Sequence, residues 1–266
     1  MNIDQLRQFN EVWVIDFEFF APPGERPRPI CMVGREFLSG RVEKIWFDEA
    51  DSTRPTQPFS AGPGTLMVAF YASAEIGCLL ALKWDIPVKI LDLYVEHRCL
   101  TNSTDSVRKN SLVNVLHYYG LPAMEAAEKV SMRDLAMAGC PFDEFERQHL
   151  LDYCTNDVNS TSRLLTEMLP KIDIPRALHR GRYMSAVAHM EWNGIPVDRP
   201  ILDRLRENWI PIQRELVQRV DAGFGVYEGT RFKHDRFADY LRRRKISWPQ
   251  TPQGRLELKD NTFRQM

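Results

Sequence analysis

Two short stretches of this chain carry oxygen-bearing side chains at spacings that place them together. In V-W-V-I-D-F-E-F-F (12–20), Asp16 and Glu18 stand two apart within an apolar run. A strand repeats every two residues, so both carboxylates project from one face. In Y-C-T-N-D (153–157), Tyr153 and Asp157 stand four apart, the spacing that shares one face of a helix. An acidic pair on a buried strand is costly unless a cation compensates it. Carboxylate oxygens suit Mg²⁺ or Mn²⁺, and two such ions about 3.5–4 Å apart hydrolyse phosphodiesters. A tyrosine one turn from a ligand could orient the attacking water, but with a pKa near 10 it is a poor base. Either motif alone is weak, since surface strands and half-buried helices produce both. Their joint occurrence in this order, 141 residues apart, is more specific.

The elements that must position these residues can be read from pattern. Residues 11–20 read as a buried strand, followed by a Pro/Gly loop at 21–29 and a hairpin of 30–37 and 41–47 turning at Ser39–Gly40. A polar loop at 48–64 leads to a buried strand at 65–71, a helix at 75–83 and a short strand at 88–93. Helical spacing begins near 111 and closes at Gly120. A long helix over about 143–169 has Asp143 as N-cap and Glu146 three later, a capping-box pattern, and Pro170 ends it. Further helices are expected from Pro175 to Gly194, after Asp198 with a kink at Pro211, and over 231–245. The last twenty residues read as irregular. Strands first and helices later imply an α/β domain followed by a mainly helical segment.

Composition sets the limits. The chain has 266 residues, 44% hydrophobic and 27% charged, which is ordinary for a globular protein. No apolar run approaches the roughly 20 residues a membrane span needs, and the N-terminus is no signal peptide. Five cysteines (31, 78, 99, 140 and 154) form no C-x-x-C pair, so free thiols and a cytoplasmic, intracellular location are expected. The net charge of −1 hides an asymmetry. Residues 1–170 carry 16 Lys and Arg against 24 Asp and Glu, a net of −8, whereas 171–266 carry 19 against 12, a net of +7. The first part could hold cations, and the second could face phosphates.

The two motifs resemble the first and third exonuclease motifs of the DEDD superfamily, tyrosine subclass. These are 3′–5′ exonucleases with a ribonuclease H-like fold, including ribonuclease D and the proofreading domains of family A DNA polymerases. Two later stretches, A-H-M-E-W-N-G-I-P-V-D (188–198) and R-K-I-S-W-P-Q-T-P-Q-G-R-L (244–256), resemble the segment linking exonuclease to polymerase and the stretch leading toward the thumb. The resemblance implies a ribonuclease H-like exonuclease domain at 1–172, with a mixed central sheet flanked by helices. It also implies a helical, thumb-like start of a polymerase region at 173–266, with palm and fingers absent. It implies that Asp16 bridges two metals, that Glu18 and Asp157 ligate the nucleophile-side ion, and that Tyr153 positions the water.

The second motif departs from the family pattern of an asparagine four residues before an aspartate. Here Y-A-S-A-E (71–75) sets Tyr71 and Glu75 at those places, which puts the second metal in doubt. Glu75 keeps a carboxylate on a longer stem, although an exposed first-turn helix residue would read the same way. Asp92 is a substitute ligand candidate, or a cap behind the site.

The implied activity is DNA 3′-end hydrolysis of the proofreading type with two Mg²⁺ or Mn²⁺ ions, carried by a monomer that is the front part of a longer polymerase. Polymerisation by this chain is not expected. Two alternatives stand beside it: an RNA-trimming enzyme of ribonuclease D type, and a non-catalytic nucleic-acid-binding remnant. R-R-R-K at 242–245, with Arg231, Lys233 and Arg236, could contact phosphates. For Trp192, Trp209 and Trp248, core packing competes with base stacking.

Overall fold

A computed structural model describes residues 4–47, 55–102, 110–123, 126–139 and 141–266. Cys140 and the 48–54 part of the expected polar loop lie outside the described residues. The chain divides into two compact units, Met1–Gly194 and Ile195–Met266.

The first unit is built on a five-stranded mixed sheet. Its strands are β1 (Glu11–Phe20), β2 (Arg28–Glu36), β3 (Val42–Trp46), β4 (Thr65–Ala69) and β5 (Lys89–Asp92), in spatial order β3-β2-β1-β4-β5. β1 is therefore central, antiparallel to β2 and parallel to β4. Val12, Trp13, Val14 and Ile15 are all fully or almost fully buried, as a central strand covered on both faces requires. Each contributes about 1.5–3 kcal/mol of apolar burial.

The even positions Val12 and Val14 pack into one core with Leu150, Cys154 and Val158. The odd positions Trp13, Ile15 and Phe17 pack into a second core with Ile76, Leu79 and Met184. Asp16 and Glu18 continue the even face toward the end of the strand. A register shift between Glu18 and Phe19 ends the regular pairing with β2 directly after the second carboxylate.

Helices α1 (Ala72–Leu82), α2 (Leu93–Leu100), α3 (Leu112–Tyr118), α4 (Ala126–Ala138), α5 (Glu144–Met168) and α6 (Ile174–Asn193) flank the sheet. The capping box expected at α5 is present: Asp143 accepts from the Glu146 N–H at 2.8 Å, and Glu146 accepts from the Asp143 N–H at 2.9 Å. α6 ends at Gly194, whose φ of 65° a residue with a Cβ would rarely adopt. Its Gly181 crosses β5 so closely that a Cβ there would lie 1.9 Å from the Ile90 carbonyl oxygen. The helix from Ile174 thus packs within the first compact unit, which runs past residue 172 to Gly194. α2 and α4 carry too few regularly spaced apolar residues to stand out in the sequence.

The second unit begins with α7 (Arg199–Glu207) and α8 (Trp209–Asp221), broken at Asn208. The kink expected at Pro211 is instead a break three residues earlier, because a proline ring clashes with the carbonyl four residues before it, here that of Glu207. A two-stranded hairpin, β6 (Tyr227–Glu228) and β7 (Arg231–Phe232), precedes α9 (His234–Arg244), so the basic helix starts later than its charge run suggests. A short α10 (Asp260–Gln265) occupies part of the tail expected to be irregular. Val226, Phe237 and Leu241 form a small core with Trp248, whose indole N–H donates to the Glu257 carbonyl at 2.8 Å. Trp248 is thus a packing residue, whereas Trp209 is exposed. Among the described residues, no helix is long and apolar enough to cross a membrane.

Candidate active site

β1 and α5 meet where the two sequence motifs predict. The thiol of Cys154 on α5 donates to the Asp16 carbonyl oxygen of β1 at 3.2 Å, fixing helix against strand beside the carboxylates. Ligand atoms of Asp16, Glu18 and Cys154 all lie within 4.8 Å of one another. Tyr153 and Asp157 occupy the adjoining turn of α5, and the Tyr153 hydroxyl donates to the Asp157 carboxylate. Burial, then the charges of Asp157, Glu18 and Asp16, hold the Tyr153 phenol far above its usual range. It therefore stays protonated, as its expected role of orienting water requires.

Glu75 comes from α1, across the strand end. It is only 4% exposed, not the solvated first-turn residue that its sequence position also allowed. It accepts a hydrogen bond from the Phe17 N–H, while its Oε2 is buried with no hydrogen-bond partner among the described residues. Burial raises its pKa well above the ordinary value, and the negative charges of Asp16, Glu18 and Asp92 add to that rise. The structure thus brings Asp16, Glu18, Glu75, Tyr153 and Asp157 into one electrostatic neighbourhood.

This donor set fits divalent cations. The oxygens are hard ligands of the kind Mg²⁺ and Mn²⁺ prefer, and the buried, unpartnered Glu75 oxygen marks a place where positive charge is lacking. Cys154 is not a suitable ligand. Burial and its contact with the Cys31 thiol push its pKa up, so the neutral thiol persists and serves as a donor to the backbone. Nothing in the sequence pattern singled it out beyond its place between Tyr153 and Asp157.

Asp92 is settled as a cap. Its carboxylate accepts from the N–H groups of Tyr71 (3.1 Å), Ala72 (2.8 Å), Tyr94 (2.9 Å) and Val95 (3.3 Å), tying the starts of α1 and α2 together. An aspartate at a strand end just before a helix is itself a sequence signal for this role. Tyr71 takes a left-handed backbone conformation (φ 78°, ψ 60°) held by those bonds, and its ring meets Tyr94 edge-on at 5.2 Å.

The basic residues of the second unit are partly engaged. Lys233 and Arg236 pair with Glu228, and Arg242 pairs with Asp239, leaving Arg243 and Arg244 exposed.

No protein-family model and no curated protein matches the chain. Solved structures do. Trypanosoma brucei RNase D superposes with a TM-score of 0.51 at 18% identity, covering 73% of this chain and 70% of that one. A nuclease in its apo form gives 0.51 at 12% identity, covering 74% and 94%. The POL domain of Pol1 from M. smegmatis, in complex with DNA primer-template and dNTP, gives 0.56 at 14% identity. That match covers 99% of this chain but 42% of the other, so this chain spans under half of that polymerase chain. At such identities the likeness establishes the fold alone: an α/β unit with a mixed five-stranded sheet flanked by helices, similar to ribonuclease H-like folds, followed by a helical segment.

Proposed function

We propose that this chain is a divalent-metal-dependent 3′–5′ exonuclease that removes nucleotides from DNA 3′ ends, as the front part of a family A DNA polymerase. The observation that carries the reading is the convergence of Asp16, Glu18 and Glu75 from β1 and α1 with Tyr153 and Asp157 from α5. Asp16, Glu18, Glu75 and Asp157 would hold the ions. When bound, a divalent cation supplies Lewis acidity, activating water and offsetting charge on the phosphate. Tyr153, neutral and anchored to Asp157, directs a lone pair at a water and so aligns it for attack. Glu75 is buried, which strengthens its interaction with any charge held beside it. The fold likeness across both units supports the polymerase-associated reading.

The fold likeness to RNase D, over 73% of this chain, supports a second reading, an RNA 3′–5′ exonuclease. One experiment separates them: a DNA strand and an RNA strand of the same sequence, each 3′-labelled, incubated with the chain in Mg²⁺, Mn²⁺ or EDTA. The proposal expects the DNA label to leave as a mononucleotide with either cation and not with EDTA. Asp16→Ala and Asp157→Ala should each slow release at least about 10²-fold. Undiminished release by both variants would overturn the assignment. Much faster RNA release would select the RNase D-type reading, and salt-sensitive binding without cleavage would indicate a non-catalytic module.

A further inference from the structure

The helix pair that opens the second unit has an apolar face that its own chain leaves uncovered. Ile201 and Leu205 on α7 and Trp209, Leu216 and Val220 on α8 recur at steps of four or seven, so they form one stripe along the pair. Each is between 43% and 60% exposed, and among the described residues neither helix has a buried one. A stripe of this kind ordinarily faces a core. We propose that here, whatever the chain's activity, it faces a second copy of the same chain. The protein is then a two-fold dimer, in place of the monomer expected from the sequence.

The area is that of an interface. Together with Phe224, which lines one apolar pocket with Val220, the five residues expose roughly 650 Å². The largest apolar patch on a typical monomer is about 300–600 Å². With its charged flanks the stripe comes to the roughly 800 Å² that each partner buries in a stable interface.

The charge around it points to protein rather than to phosphate or lipid. Residues 199–221 carry five arginines against four Asp and Glu, a net of +1. A helix that lies along nucleic acid or on an anionic membrane needs a strongly basic flank. Here Arg206 pairs with Asp203 and Arg219 with Glu215, which neutralises much of the flanking charge. Two such faces can approach without repulsion.

The form of the pair suits a copy of itself. Helical hydrogen bonds continue on both sides of the break: the Asn208 N–H donates to the Arg204 carbonyl at 3.1 Å, and the Asn208 carbonyl accepts from the Ile212 N–H at 3.0 Å. The bend therefore lies within the stripe, with Leu205 before it and Trp209 directly after. An antiparallel copy, related by a two-fold axis between Trp209 and Ile210, matches bend to bend. Leu205 then fits between the partner's Ile212 and Leu216, as a knob in a hole. Arg204 and Glu215 stand eleven residues apart, about three turns, on one edge of the stripe. In the same arrangement Arg204 faces the partner's Glu215, and Glu215 faces the partner's Arg204.

The test is the mass of the full chain in solution, by sedimentation equilibrium from about 1 to 100 μM. The parent should approach twice the mass of one chain as concentration rises. Leu205→Glu and Leu216→Glu should each raise the dimer dissociation constant at least about tenfold. Both positions are exposed, so circular dichroism should match the parent. Arg204→Glu and Glu215→Arg should each weaken the dimer about three- to tenfold. The two together should restore it, which contact with a different partner would not do. This charge exchange reads the interface even where a glutamate in the stripe disturbs the fold. A chain that stays monomeric throughout would leave the face to another occupant and overturn the proposal. So would a dimer indifferent to all four single variants, or a double exchange no tighter than either single one.

Discussion

At the scale of single residues, the site depends on which groups are charged. Tyr153 gives its proton to a hydrogen bond with Asp157 and is held protonated by burial and by three carboxylates. If it orients water, Tyr153→Phe should lower kcat about 10- to 10²-fold with KM little changed. Single-turnover cleavage measures this, and an unaltered rate would remove Tyr153 from the mechanism. Glu75 is the opposite case, since burial first and neighbouring charge second favour its protonated form. A folded-state pKa above the unfolded value near 4.5 gives a contribution that is complete below that value. That contribution is lost as pH rises through the folded pKa. In EDTA the melting temperature should therefore decline as pH rises from about 5 toward neutrality. Glu75→Gln should flatten that decline, and Mg²⁺ should raise the parent's melting temperature at neutral pH. Equal slopes for parent and variant in EDTA would show that another group controls the titration.

At the scale of elements, the site is precise because its parts are locked from behind. Asp92 satisfies N–H groups at the starts of both α1 and α2, so the helix carrying Glu75 and its neighbour share one anchor. α6 is seated on β5 through Gly181, where a methyl group would strike the Ile90 carbonyl. Gly181→Ala gains helix propensity of about 1 kcal/mol but must push the helix off the sheet. We expect a net destabilisation of about 1–3 kcal/mol in urea unfolding. A stabilised variant would mean that the helix is free to shift. Much of this level was legible in advance. β1, the capping box of α5 and the Gly194 stop follow from local chemistry and appear as expected. The Asn208 break and the β6–β7 hairpin did not, because a proline acts on the turn before it and two-residue strands carry almost no periodic signal.

At the scale of the molecule, the acidic first unit and the basic second unit each have a core of their own. We expect residues 1–194 to fold alone and to keep metal-dependent cleavage, because they include α6 and every candidate ligand. A chain ending at 172 should lose Met184 and Ala188 from the second core and uncover Ile90, and it should melt at a lower temperature or aggregate. Thermal melts and size-exclusion of the two truncations decide between these boundaries. A fully stable 1–172 would show that α6 is dispensable to the sheet.

The sequence alone determined the chemical vocabulary: a buried D-x-E strand, a capped helix carrying Y-x-x-x-D, and the change of charge between the two halves. These are local properties, fixed by spacing and residue type within one element. Tertiary structure decided everything that depends on two elements meeting. It buried Glu75 beside Asp16 and Glu18, turned Asp92 from a candidate ligand into a double cap, and set the Cys154 thiol against the Asp16 carbonyl. Those outcomes rest on packing between residues far apart along the chain, and neither periodicity nor propensity records which distant side chain will supply a buried group with its partner.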